Sequence, residues 1–316
     1  MTAISLAAVL PLVCWQCSPA VRTTPPPATA TPEEVRLSGA SVLMGAGDIA
    51  RCGTLGDEGT AAVVDSLLVV DSIAKVDDAV LTLGDNVYES GTAREFATCF
   101  TPSWGKPGGR IMRKIHPIVG NHEYETNNAA PYFSYFGDRA GPSGKGYYSF
   151  EMGEWHVVAL NSELPANFSL GPAAREQEDW LKKDLRDHPA KCTLAYFHRP
   201  LFSSSFHGTD ATVRPLYQIL YDANVDLLLV GHDHTYERFA PQTPNAVLDT
   251  LRGITQIVVG TGGGILRGFR SPAVNSLARV EGYYGIFKLT LGAGAFQHAF
   301  IDTRGRIWDP GRGKCH

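Results

Sequence analysis

Five times along this chain a short apolar run stops at a polar residue able to bind a metal ion. Ser41–Ala46 leads to Asp48, Ala79–Leu83 to Asp85, Ile115–Val119 to Asn121, and Thr193–Phe197 to His198. Val225–Leu229 leads to a pair, His232 and His234. The runs are short and rich in branched residues, the pattern of strands buried on both faces in a parallel sheet. Between them lie segments with a helical apolar face, Thr60–Ala74 (through Val63, Val64, Leu67, Leu68 and Val70), Pro172–Asp187 and Val213–Asp222, the last with Asp210 as its cap. Strands alternating with helices predict an α/β sheet, and in such sheets ligands collect beyond the carboxyl ends of the strands. All six polar side chains are therefore expected on one edge.

The rest of the chain fills in the layers. Tyr147–Glu151 and Trp155–Leu160 alternate about Met152-Gly153-Glu154 and predict a hairpin, and Ala93–Cys99 predicts a short helix. Ile254–Gly260, Gly285–Leu291 and Ala295–Asp302 read as further strands. With 316 residues and 44% hydrophobic content, the chain can bury a large core. A net charge of −4 with Lys and Arg scattered singly gives no surface for nucleic acid or an anionic membrane.

Residues 1–36 differ in kind. Ala3–Val13 is apolar but too short to span a bilayer, and a Pro/Thr-rich linker follows through Pro32. We read 1–36 as a signal peptide and linker, lacking the usual basic start, and 37–316 as the catalytic domain, which predicts export to a secreted, periplasmic or cell-surface location. Cys14 and Cys17 are candidate lipid-anchor positions, although the residues before each fit such a site poorly. Four cysteines remain, and the favoured pairing among three is Cys52–Cys99 with Cys192–Cys315.

His232 and His234 stand two apart, so that on an extended segment both rings would face one point. The ordered set of Gly-Asp48, Gly-Asp85-x-x-Tyr88, Gly-Asn121-His122-Glu123, His198 and Gly-His232-x-His234 resembles the calcineurin-like metallophosphoesterases, and Tyr88 with Gly231–Arg238 looks most like the purple acid phosphatase branch. The resemblance implies a sandwich of two mixed β-sheets flanked by helices, with a dinuclear metal site at the carboxyl ends of the strands. It implies Asp48, Asp85, Tyr88 and His234 on one ion, normally Fe(III). It implies Asp85 as the bridge, with Asn121, His198 and His232, on a divalent ion (Fe, Zn or Mn). Much of the wider superfamily has D-x-H at the first motif, but position 50 here is Ala. Tyr88 offers a substitute, since a phenolate is a hard anionic donor suited to a hard ferric ion.

The implied activity is hydrolysis of small phosphate monoesters by in-line attack of a metal-bound hydroxide. His122 is the candidate general acid, and His207 matches a substrate-facing histidine of the family in position. Arg199 is a further candidate phosphate contact. Asp233, Glu123 and Glu237 are expected to support the ligands, His116 to pack, and Gly260–Gly264 to form a loop near the site. A phosphodiesterase or nucleotidase with two divalent ions is the alternative on the same fold. A non-catalytic binding or scaffold protein is the remote one. Natural substrate and oligomeric state have no signal in the sequence.

Overall fold

The branched apolar runs pair in parallel, as burial on both faces requires. In a computed structural model describing residues 40–166 and 171–316, Ser41–Ala46, Asp77–Leu83 and Ile115–Ile118 lie side by side and parallel in a six-stranded sheet. Trp155–Ala159, Cys192–Tyr196, Leu227–Val230 and Thr255–Val259 do the same in a seven-stranded sheet. Antiparallel strands complete both. Gly285–Gly292, Ala295–Asp302 and Ile307–Lys314 extend the first. Tyr148–Met152 closes one edge of the second, and Tyr236–Phe239 with Ser276–Val280 closes the other. This is the expected pair of mixed sheets, within the unit Arg36–His316.

The sheets share one core. Leu43, Leu81, Leu83 and Leu289 of the first and Leu194, Leu229 and Val258 of the second are fully buried, each worth about 1.5–3 kcal/mol relative to exposure. Contacts join the layers directly: Trp155 donates its indole N–H to Gly292 O (3.0 Å), and Tyr236 stacks on Phe300 at 4.7 Å. Among the described residues no helix is long and apolar enough to cross a membrane. The apolar N-terminal stretch, Cys14 and Cys17 lie outside the described residues. Both favoured disulfides form, Cys52–Cys99 and Cys192–Cys315.

Helices Gly56–Ala74, Gly171–Asp187 and Arg214–Asp222 occupy the expected stretches. The first starts earlier than its apolar stripe, and Asp57 and Glu58 sit in its first turn, where the helix dipole favours negative charge. Asp210 accepts the Thr212 N–H at 3.0 Å, ahead of a tight turn at Ala211–Val213. The short helix expected from Ala93 is an α-turn at Ala93–Glu95 that widens into a π-turn over Phe96–Phe100. Three strands of the two sheets are additions, Tyr236–Phe239, Ser276–Val280 and Ile307–Lys314. The last two are sheet edges and largely solvent-facing, so neither carries a continuous apolar run.

A buried charge network ties the second sheet to its helix. His156, 1% exposed, places Nδ1 2.7 Å from Glu151 and Nε2 2.8 Å from Asp184 of helix Gly171–Asp187. Burial pushes the His156 pKa down, but hydrogen bonds to Asp184 and Glu151 outweigh it and raise the pKa above the ordinary 6.5. A folded-state pKa above the unfolded one means that this stabilisation is fully present below pH 6.5 and is lost as pH rises through the folded value. Unfolding free energy measured by urea titration should fall across that interval above pH 6.5. In His156→Gln the same interval should be flatter, and an identical slope in both proteins would remove His156 as the cause.

Candidate metal centre

Three of the polar residues at strand ends turn sharply off their strands. Asp48, Asp85 and His232 have left-handed backbones (φ +59°, +46° and +70°), unusual for residues other than glycine and frequent where a site is held under strain. The turns bring the carboxyl ends of both sheets to one place. Gly231 is needed there, because a Cβ would stand 2.7 Å from Asp48 Oδ2 and from Leu83 O.

The donors fall into two sets that share one atom. In the first, Tyr88 Oη lies 2.8 Å from Asp48 Oδ1, 3.1 Å from His234 Nε2 and 3.3 Å from Asp85 Oδ2. His234 Nε2 lies 3.2 Å from Asp48 Oδ1. In the second, His198 Nε2 lies 3.3 Å from Asp85 Oδ2, 3.1 Å from Asn121 Oδ1 and 3.2 Å from His232 Nδ1. Asp85 Oδ2 is thus common to both. All seven residues named from the sequence are brought together, and Asp48, Asp85, Tyr88 and His198 are at most 4% exposed.

Hydrogen bonds around the cluster set the tautomers. His198 Nδ1 is 2.8 Å from Leu83 O and His234 Nδ1 is 2.6 Å from Ile265 O, and a carbonyl only accepts, so each Nδ1 carries the proton. Each Nε2 then turns a lone pair toward the cluster, as metal-binding imidazoles do. His232 and His234 do not face one point from an extended segment. Tight turns (Asp233 N–H to Gly231 O, 2.8 Å; Thr235 N–H to Asp233 O, 2.7 Å) send one ring to each set.

The electrostatics ask for a cation. Burial first, then Asp48 and Asp85, hold the Tyr88 phenol well above its usual pKa of 10. Burial lowers His198, but Asp85 outweighs it and takes the imidazole up to about 10. With the protein's own groups alone, the carboxylates draw protons onto their neighbours, a demand that bound cations would meet instead. Oxygen-rich donors in one set and imidazoles with an amide oxygen in the other fit two ions of unlike hardness.

Of the three residues expected to support the ligands, Glu123 braces the turns that bear donors, whereas Asp233 and Glu237 brace the loop at Ser203–Gly208. Glu123, fully buried, accepts Asn86 N–H (2.7 Å) and Val87 N–H (3.2 Å) on Oε1 and Gly120 N–H (2.7 Å) on Oε2. It thereby clamps the turns bearing Asp85 and Asn121. Asp233 accepts the His207 N–H (2.9 Å) and the Ser203 hydroxyl, and Glu237 accepts the Ser204 N–H (2.8 Å). His116 stacks on Phe150 at 4.0 Å. The Gly260–Gly264 loop closes over the first set, and a Cβ on Gly264 would stand 3.0 Å from His234 Cε1.

His122 lies at the mouth, with Nε2 3.8 Å from Asp85 Oδ2 and Nδ1 held by Glu89 O. The His207 ring is 4.3 Å from that of His232, on the other set. Arg199 is committed elsewhere: its Nε donates to Glu163 at 2.9 Å and Nη1 to Asp210 at 3.2 Å. Arg267 and Arg270, exposed residues of the segment after the glycine loop, belong to no motif in the sequence. Lone arginines in an irregular stretch carry no periodic signal.

A family model of calcineurin-like phosphoesterases matches residues 46–236, more than half of the chain and the whole stretch bearing the donors. The chain belongs to the calcineurin-like phosphoesterase family, in its purple acid phosphatase-like branch. It is 29% identical over 219 residues to purple acid phosphatase 15 of Arabidopsis thaliana, covering 59% of this chain and 40% of that protein. It is 28% identical over 278 residues to acid phosphatase type 7 of Mus musculus, covering 73% and 60%. The chain thus spans roughly two-fifths of the length of the plant relatives. Its fold is shared with the purple acid phosphatase PPD1 of yellow lupin (TM-score 0.69, 18% identity, 87% of this chain and 54% of that one). It is shared also with GAP50, the anchor in the inner membrane complex of Plasmodium (TM-score 0.68, 15% identity, 88% and 89%).

Proposed function

We propose that this phosphoesterase is a dinuclear-metal phosphohydrolase acting on small phosphate monoesters. The observation that carries the reading is Asp85 Oδ2, common to an oxygen-rich set and an imidazole-rich set. Asp48, Tyr88, His234 and Asp85 would hold an Fe(III), and Asp85, Asn121, His198 and His232 a divalent ion such as Fe, Zn or Mn. When bound, the pair supplies the positive charge that draws in a phosphate ester and lowers the pKa of water. Ala50 contributes no donor, and Tyr88, on the neighbouring short strand paired with Ala50-Arg51, takes that place.

His122 is suited to protonate the leaving oxygen, because Glu89 O anchors its Nδ1–H and leaves Nε2 aimed inward. His207, beside His232, would donate to a phosphoryl oxygen. Two disulfides in the described residues support an oxidising, exported location. GAP50 is an anchor, but a full donor set in this chain favours chemistry over a scaffold role.

The test is a visible spectrum before and after mild reduction, with metal content and monoester turnover on the same sample. Iron with a broad band that disappears in Tyr88→Phe is expected. A colourless protein holding two zinc or manganese ions, with bis-esters preferred, would replace this reading by the diesterase. For His122→Ala, kcat on an alkyl phosphate should drop about 100-fold. The same variant should lose under about tenfold on 4-nitrophenyl phosphate, whose leaving group needs no proton. Equal losses on both would remove the general-acid role.

A further inference from the structure

Beside His232 the surface carries a pair of guanidiniums held on one aromatic ring. Phe206 is 45% exposed and its ring centroid lies 5.2 Å from that of His207, which in turn lies 4.3 Å from His232. Over the Phe206 ring stand Arg270, with Cζ at 4.5 Å, and Arg267, with Cζ at 5.0 Å. Main-chain bonds lock the three together. Arg267 N–H donates to His234 O (3.1 Å), Arg270 N–H to Ser204 O (2.9 Å), and the Ser205 hydroxyl to Gly268 O (3.2 Å). Arg267 is therefore anchored to the backbone of a donor of the metal centre itself.

Stacking uses the face of a guanidinium and leaves its planar fork of N–H donors free at the edge. Among the described residues neither arginine is ion-paired with a carboxylate, and the acid recorded against this segment, Glu281, accepts the Phe269 N–H (2.8 Å). Two like charges gathered on one ring repel each other, and with Glu281 engaged by a backbone N–H and paired with neither, both forks remain open to an anion. A phosphate matches a pair of such forks better than any single charge does. With guanidiniums already over the ring, Phe206 serves to carry the arginines, and a substrate base would have to displace them to stack.

We propose that Arg267 and Arg270, carried on Phe206, form a subsite for a second phosphate group of the substrate, so that the preferred substrates are phosphate monoesters bearing another phosphate a few bonds away. This rests on the phosphohydrolase reading above, and extends it from reaction to substrate class.

The experiment compares kcat/KM for butane-1,4-diol bisphosphate and for butyl phosphate on the metal-loaded protein, together with inhibition by butane-1,4-bisphosphonate. Having two scissile groups gives the bisphosphate about a twofold advantage on statistics alone, so the native ratio should exceed this by about tenfold. The Arg267→Ala/Arg270→Ala variant should bring the ratio back toward the statistical value and weaken the bisphosphonate in parallel. Arg267→Lys/Arg270→Lys, with charge kept and forks lost, should recover part of it. A native ratio near the statistical one, or one unmoved in the Ala variant, overturns the subsite. Weaker inhibition by free inorganic phosphate with an unchanged ratio also overturns it, since it would make the pair a site for loose anions. A protein that hydrolyses neither ester overturns instead the phosphohydrolase reading beneath it.

Discussion

Asp85→Ala should leave the protein unable to retain either metal ion and lower kcat/KM for a phosphate monoester by at least about 1000-fold. The expectation follows from a single atom. Asp85 Oδ2 lies 3.3 Å from both Tyr88 Oη and His198 Nε2, so no other side chain can substitute for it in either set. Its other oxygen accepts the His122 N–H at 2.9 Å, so the same change also frees the proposed acid. Stability should fall as well. Burial disfavours the Asp85 charge, but His198 and His122 outweigh it and hold the carboxyl well below the usual carboxylate range, so its removal leaves His198 buried without its carboxylate in protein stripped with chelator. Thermal unfolding of the stripped variant should come below that of the stripped native protein, and the rise on adding metal should disappear. Metal analysis and unfolding on one preparation check both halves. A variant that keeps two ions and works within tenfold of the native protein would refute the bridging role.

Glu123→Ala should be the most damaging change outside the donor sets. It orphans three buried N–H groups at once, those of Asn86, Val87 and Gly120. An unsatisfied buried donor costs about 1–3 kcal/mol, so a loss of about 3 kcal/mol or more is expected. In a domain of this size that lowers the midpoint of thermal unfolding by roughly 6–12 °C. Because the freed turns bear Asp85 and Asn121, metal affinity should drop about 10–100-fold as well. Glu123→Gln keeps one oxygen and should fall between. A midpoint shift of the expected size with native metal affinity would mean that the turns hold their shape without the clamp.

How much of this was legible beforehand follows from range along the chain. The strand-end residues could be read because an apolar run and the polar residue that ends it are adjacent, and parallel strands must all finish on one edge. Tyr88 was legible because it follows Asp85 by three positions and stands in for a histidine absent at position 50. The two cystines could be ranked but not fixed, since pairing is settled only by where the fold places the strand that opens at Cys192 and the helical turn that carries Cys99.

Contacts between distant segments were decided in three dimensions alone. Arg199 pairs with Glu163, 36 positions away, because the residues after the Trp155–Ala159 strand fold back toward the end of the neighbouring strand. The exposed edge strands Ser276–Val280 and Ile307–Lys314 pair through backbone atoms on one side only, which leaves no apolar signature; Asp309-Pro310-Gly311 even reads as a turn. His232 and His234 looked like neighbours facing one point, yet a left-handed turn assigns them to different donor sets. Arg267 and Arg270 meet Phe206 across some sixty positions of chain. The sequence by itself determined which chemistry was available and at which strand ends it stood. The tertiary structure decided which donors share an atom and which charges are left without a partner, because those depend on distances that no local pattern encodes.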